Sequence, residues 1–89
     1  MTIYRVRYNK LSGCNNFTKR ELINYKNLII SIFYNLYPTI NIDIRMHDNK
    51  KYITIMSISG ELNRVSVTEM IEIMHSLFPI TMSIVGKNR

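Results

Sequence analysis

FTKRELI, residues 17–23, returns in altered form as VSVTEMI, residues 65–71. Both stretches have the grammar of a helix start. Thr18 with Glu21, and Ser66 with Glu69, stand at capping-box spacing: the hydroxyl accepts from the backbone N–H three residues on, and the carboxylate reaches back to the cap residue's own N–H. Phe17 with Leu22, and Val65 with Met70, occupy the two positions of a hydrophobic staple. The matching ends are NLYP (35–38) and SLFP (76–79), where proline disfavours helical geometry in the residue before it. A first helix is therefore predicted from about Lys19 to Leu36, with Leu22, Tyr25, Ile29, Ile32, Phe33 and Leu36 on one face. A second runs from about Val67 to Leu77 and offers Met70, Ile71, Met74, Leu77 and Phe78.

Strand signals surround these helices. From Thr2 to Asn9, Tyr4, Val6 and Tyr8 alternate with Ile3, Arg5 and Arg7. Ile40, Ile42, Ile44 and Met46 alternate with Asn41, Asp43, Arg45 and His47, the cleanest half-buried pattern in the chain. Lys51 to Ile58 forms a third strand behind the turn residues Asp48, Asn49 and Lys50, and Ile80 to Val85 a fourth. The order is β-α-β-β-α-β. Tyr4 stands as far before Phe17 as Tyr52 stands before Val65, so the halves match in spacing, with the second helix shorter by about two turns.

This pattern resembles the ferredoxin-like fold, two split β-α-β units related by a pseudo-twofold axis. The resemblance implies one α+β domain over residues 1–89, a four-stranded antiparallel sheet in the order 4-1-3-2, and two helices on one face. It implies a fold and no function, so function is argued from sites.

Composition bounds the rest. The chain has 89 residues, 46% hydrophobic and 20% charged, which is a folding composition with room for one core. It contains no Ala, Gln or Trp and is rich in Ile, Asn and Tyr, a bias that suits an AT-rich genome such as that of a phage, virus or AT-rich bacterium. Cys14 is the sole cysteine, so an internal disulfide is excluded. The start MTIYRVRYNKL lacks the apolar stretch and cleavage site of a signal peptide, and LIISIFYNLY is too short to span a bilayer. The expectation is a soluble cytoplasmic protein, in the host cytoplasm if phage- or virus-encoded. Twelve Lys and Arg against six Asp and Glu give a net charge of +6, which favours polyanionic partners, nucleic acid first.

No metal, nucleotide or catalytic motif is present, and no cofactor is expected. His47 and His75 have no carboxylate or cysteine at ligand spacing, and Cys14 has no identified base. Charge placement says more. In the implied topology the first strand-to-helix loop and the β2–β3 hairpin share one end of the sheet. That gathers Lys10, Lys19, Arg20, Lys50 and Lys51, with His47, around the first helix's N-terminus, whose unpaired N–H groups favour anions. Arg5, Arg7 and Arg45 fall on the face away from the helices, where guanidinium groups can grip phosphate or stack on bases. Pairing with Asp43 is the structural alternative for them.

The third strand decides what accompanies these arginines, and two arguments about it conflict. Matching the halves puts Tyr52 in the core with Tyr4 and leaves Ile53 and Ile55 exposed, an apolar protein or dimer interface. A two-residue Asn49-Lys50 turn instead pairs Ile44 with Ile55 and turns Tyr52, Thr54 and Met56 outward. That second register gives an aromatic and basic platform similar in kind to the RNA-binding face of RRM domains, although KYITIMSI lacks their glycine- and aromatic-rich signature. The leading expectation is a non-enzymatic protein that binds RNA or single strands through Arg5, Arg7, Lys10, Lys19, Arg20, Arg45, Lys50 and Lys51. The alternative is an inhibitor or adaptor of phage type that binds a host protein, such as a defence nuclease or toxin; a third reading is a small-molecule-binding or enzymatic ferredoxin-like domain, and homodimerisation through the sheet is compatible with all three.

Overall fold

The chain alternates strand, helix and strand because its apolar residues change period between two and 3.6 along the sequence. In the computed structural model, which describes residues 2–10, 17–47 and 51–88, the elements are β1 (Ile3–Lys10), α1 (Lys19–Leu36), β2 (Asn41–His47), β3 (Tyr52–Ser59), α2 (Arg64–Leu77) and β4 (Ile80–Asn88). The strands form one antiparallel sheet ordered β2-β3-β1-β4, the expected 4-1-3-2 counted from the other edge. Tyr4, Val6 and Tyr8 of β1, Ile44 of β2, Ile53 and Ile55 of β3, and Ile80 and Met82 of β4 share one buried cluster with α1 and α2. Both helices therefore cover the same side of the sheet, an α+β architecture of ferredoxin-like type. Each of these large side chains contributes about 1.5–3 kcal/mol by leaving water.

α1 begins and ends as its sequence predicts. Thr18 Oγ1 accepts from Glu21 N at 3.1 Å, and Thr18 N donates to Glu21 Oε1 at 3.1 Å. Phe17, ahead of the cap, packs edge-on against Tyr8 (ring centroids 4.9 Å apart) and Tyr25 (5.7 Å), and Tyr25 continues the row to Phe78 at 4.9 Å. These rings join the first strand to both helices. Leu36, expected on the buried face, is exposed at the last residue of the helix.

α2 corrects the reading of VSVTEMI. Its cap is Asn63, whose side chain accepts from Ser66 N at 2.9 Å while Asn63 N donates to Ser66 Oγ at 3.3 Å. Ser66 is the third residue of the helix, not its cap, and Val65, expected to staple, is 65% exposed. Leu62 and Val67 hold the staple positions instead and are buried. At 14 residues against 18, α2 is shorter than α1 by about one turn, not two. Leu77 is exposed as well, since the buried stripe of α2 ends at Met74.

Two features shape the far side of the sheet. Between Arg5 and Val6 the β1–β4 register slips, because Val6 faces Ile84 while Arg5 faces Gly86, leaving Val85 as the extra residue of a bulge. Near the other end of β4, Met82 N donates to His75 Nε2 at 2.8 Å, which ties the last turn of α2 to that strand. At the opposite end of the molecule Gly60 takes φ +84°, and a Cβ there would lie 2.8 Å from the Thr39 carbonyl oxygen. The α1–β2 and β3–α2 connections thus touch backbone to backbone. Tyr4 is fully buried, and its hydroxyl has no hydrogen-bond partner.

Candidate nucleic-acid interface

The face of the sheet away from the helices is set by the register of β3. Ile44 pairs with Ile55, and Ile53, Ile55 and Ser57 are buried. The turn-counting argument therefore holds, and the matching of the halves, which placed Tyr52 in the core, does not. Tyr52, Thr54 and Met56 turn to the open face. Reading across β2, β3 and β1, that face carries three rows: His47, Tyr52, Arg7; then Arg45, Thr54, Arg5; then Asp43, Met56, Ile3. Rows are two residues apart along the strands, about 6.7 Å, and neighbours within a row are about 4.8 Å apart.

Tyr52 is the hub of this grid. The Arg5 guanidinium carbon lies 5.0 Å from its ring centroid from the β1 side, and the His47 ring 4.4 Å away, tilted by 36°, from the β2 side. His47 Nε2 and Thr54 Oγ1 are 3.1 Å apart, a hydrogen bond that holds the imidazole against the sheet. Arginine, tyrosine and histidine thus form a transverse ladder across three strands, worth about 0.5–1 kcal/mol for its exposed cation–π contact. Both flanks of Tyr52 are in use. Arg5, Arg7 and Arg45 are exposed, and exposed guanidinium groups can pair bidentately with anions. Beside Arg5, Gly86 brings no side chain, and a concavity of ≈ 170 Å³ opens there, lined by Ile3, Arg5, Gly86 and Lys87.

Charge on this face is one-sided. Arg5, Arg7 and Arg45 are exposed, and the acid set among them is Asp43, whose Oδ2 lies 3.9 Å from Arg45 Nε. Side chains that are 70% and 45% exposed leave that ion pair weak and screened. Towards the start of β1 the face becomes apolar through the half-buried Ile3 and Met56.

Of the expected basic rim, the described side chains are those of Lys19, Arg20 and Lys51. Lys19 and Arg20 are exposed in the first turn of α1, so the sheet lies between them and the three arginines. Lys19 joins Leu22, Ile23, Lys26 and Met46 in a separate groove where α1 overlooks β2. Lys51 is exposed in the turn just before β3, next to Tyr52, with φ +52°. Lys10 ends β1 with its side chain outside the described residues, where Lys50 and Cys14 also lie. His75 is committed to Met82 N. The residues that sequence reasoning missed as partners are Tyr52 with His47 and Thr54 with both central arginines; cross-strand counting from Ile44–Ile55 would have found them.

Of the titrating groups, Tyr37 is held above its ordinary 10.0, first because its hydroxyl donates to Glu69 Oε2 at 2.6 Å, then through burial and the carboxylate's charge. This contact joins the end of α1 to α2 and is remote from the open face. No family model matches the chain, and comparison with curated proteins and with solved structures returned no match. No described helix is long and apolar enough to cross a membrane.

Proposed function

We propose that the protein is a non-enzymatic nucleic-acid-binding module that lays a single strand, RNA in preference, across the open face of its sheet. The observation that carries this reading is the convergence of Arg5, Arg7 and Arg45 from two non-adjacent strands around the Tyr52–His47 pair, with Asp43 as the opposing acid. Phosphates take the arginines, and an unstacked base takes the outer side of His47, while Lys51, in the turn before β3, adds positive charge at that end of the sheet. Lys19 and Arg20, across the sheet, add long-range attraction and no direct contact. Fluorescence anisotropy of a labelled oligouridine and of a duplex of equal length tests this: the single strand should bind more tightly, and its midpoint should weaken as salt rises. Equal or absent binding of both probes at low salt would sink the proposal.

The half-buried Ile3 and Met56 favour a second reading, in which the same face meets a protein such as a nuclease. A partner captured from a lysate and retained after nuclease digestion, combined with no oligouridine binding, would select it.

A further inference from the structure

β2 is the end strand of the sheet, and two backbone bonds reveal which of its amides are spare. Tyr8 N donates to Lys51 O at 2.9 Å, and Ser57 N to Thr2 O at 3.0 Å. In an antiparallel ladder a residue directs its N–H and C=O to one side and its neighbours direct theirs to the other. The odd residues of β3 therefore bond β1, and its even residues bond β2. Through the pairs Asp43–Met56, Arg45–Thr54 and His47–Tyr52, the odd residues of β2 are used up. Ile42, Ile44 and Met46 turn their N–H and C=O outward, and no described strand meets them.

The strand NIDIRMH is also nearly palindromic about Ile44. Set antiparallel against a second copy with a twofold axis at Ile44, Ile44 faces Ile44, Ile42 faces Met46, and Asp43 faces Arg45, the last two pairings occurring twice. Every outward amide then finds a partner, apolar residues meet on the helix side, and opposite charges meet on the open side. Asp43 and Arg45 hold each other at only 3.9 Å within the chain, so both retain capacity for this cross-copy pairing. The helix layer agrees. Ile23, 57% exposed, lines the groove over Met46, and Ile30 and Tyr34 continue its stripe along α1, so a neighbour across β2 would cover them.

We infer that the protein self-associates through β2 as a twofold dimer with Ile44 opposite Ile44, whose eight strands form one sheet. The inference stands apart from nucleic-acid binding, although it would merge two open faces into one and run the Arg5, Thr54, Arg45 row of each copy on into the Asp43, Met56, Ile3 row of the other. Sedimentation equilibrium on the full chain, free of nucleic acid, tests it with Asp43→Arg, Arg45→Asp and the double exchange, folding being followed by circular dichroism. The wild type should be dimeric. Either single exchange sets like charges opposite each other twice and should weaken the dimer by about tenfold. The double exchange restores opposite charges and should restore the dimer. A monomeric wild type, a single exchange that leaves association unchanged, or a folded double exchange that fails to recover it overturns the inference.

Discussion

Replacing Arg7 by Gln should flatten the salt dependence of nucleic-acid binding while leaving the fold intact. Arg7 is exposed at the end of the row that begins with His47 and Tyr52, so its loss removes a phosphate contact without disturbing the Arg5–Tyr52 stack. If Arg5, Arg7 and Arg45 each neutralise one phosphate of a single strand, the slope of log affinity against log salt is about −2.1, and with two contacts about −1.4. Raising salt from about 50 to 200 mM then weakens the wild type roughly eighteenfold and the variant roughly sevenfold. Anisotropy titrations of labelled oligouridine across that range measure both slopes. Arg20→Gln is the internal control, since Arg20 projects from the helix layer and should leave the slope near the wild-type value. An unchanged slope for Arg7→Gln, or equal flattening by the two substitutions, would refute the open-face assignment and leave only non-specific attraction to a charged molecule.

Three further outcomes are expected. Tyr4→Phe removes a buried hydroxyl that has no partner and should raise stability in a urea titration by about 1 kcal/mol; a comparable loss would mean that the hydroxyl is bonded after all. Gly60→Ala should cost about 2 kcal/mol, because φ +84° and a Cβ 2.8 Å from a backbone oxygen leave no relaxed position, and a neutral result would show that the two connections separate easily. The Tyr37–Glu69 contact is fully present below pH 10.0, where the phenol is protonated in both folded and unfolded chains, and is lost as pH rises through the higher folded value. Urea midpoints above pH 10.0 should therefore fall more steeply for the wild type than for Tyr37→Phe, and parallel curves would contradict that sign.

Most of the fold was legible because alternation and helical stripes record burial residue by residue. The capping box was not decisive for α2, since Asn63 with Ser66 and Ser66 with Glu69 have the same spacing. Burial of Leu62 and Val67 selects the earlier pair, a tertiary choice that local spacing does not contain. The consequence reached the open face of the sheet. Aligning Phe17 with Val65 offsets the halves by 48 residues, an even number that keeps Tyr52 on the side of Tyr4; aligning the true caps, Thr18 and Asn63, offsets them by 45, which sets Tyr8 over Ile53, both buried. Cross-strand counting survived because it depends only on the turn. The three arginines were read to the correct face by alternation alone, whereas the Arg5–Tyr52–His47 ladder and the His75–Met82 bond depend on how distant elements lie side by side.

The two edges of the sheet differ in what they allow to be added. Met82 spends its outward N–H on His75, and the Val85 bulge breaks the spacing of the amides that follow, so an incoming strand finds no continuous row on β4. In the language of polymer growth, β2 is an active end and β4 a terminated one. Strand addition through β2 consumes the active end of both molecules at once and leaves a terminated end on either side. A chain built this way can pair, and it has no route to a ribbon.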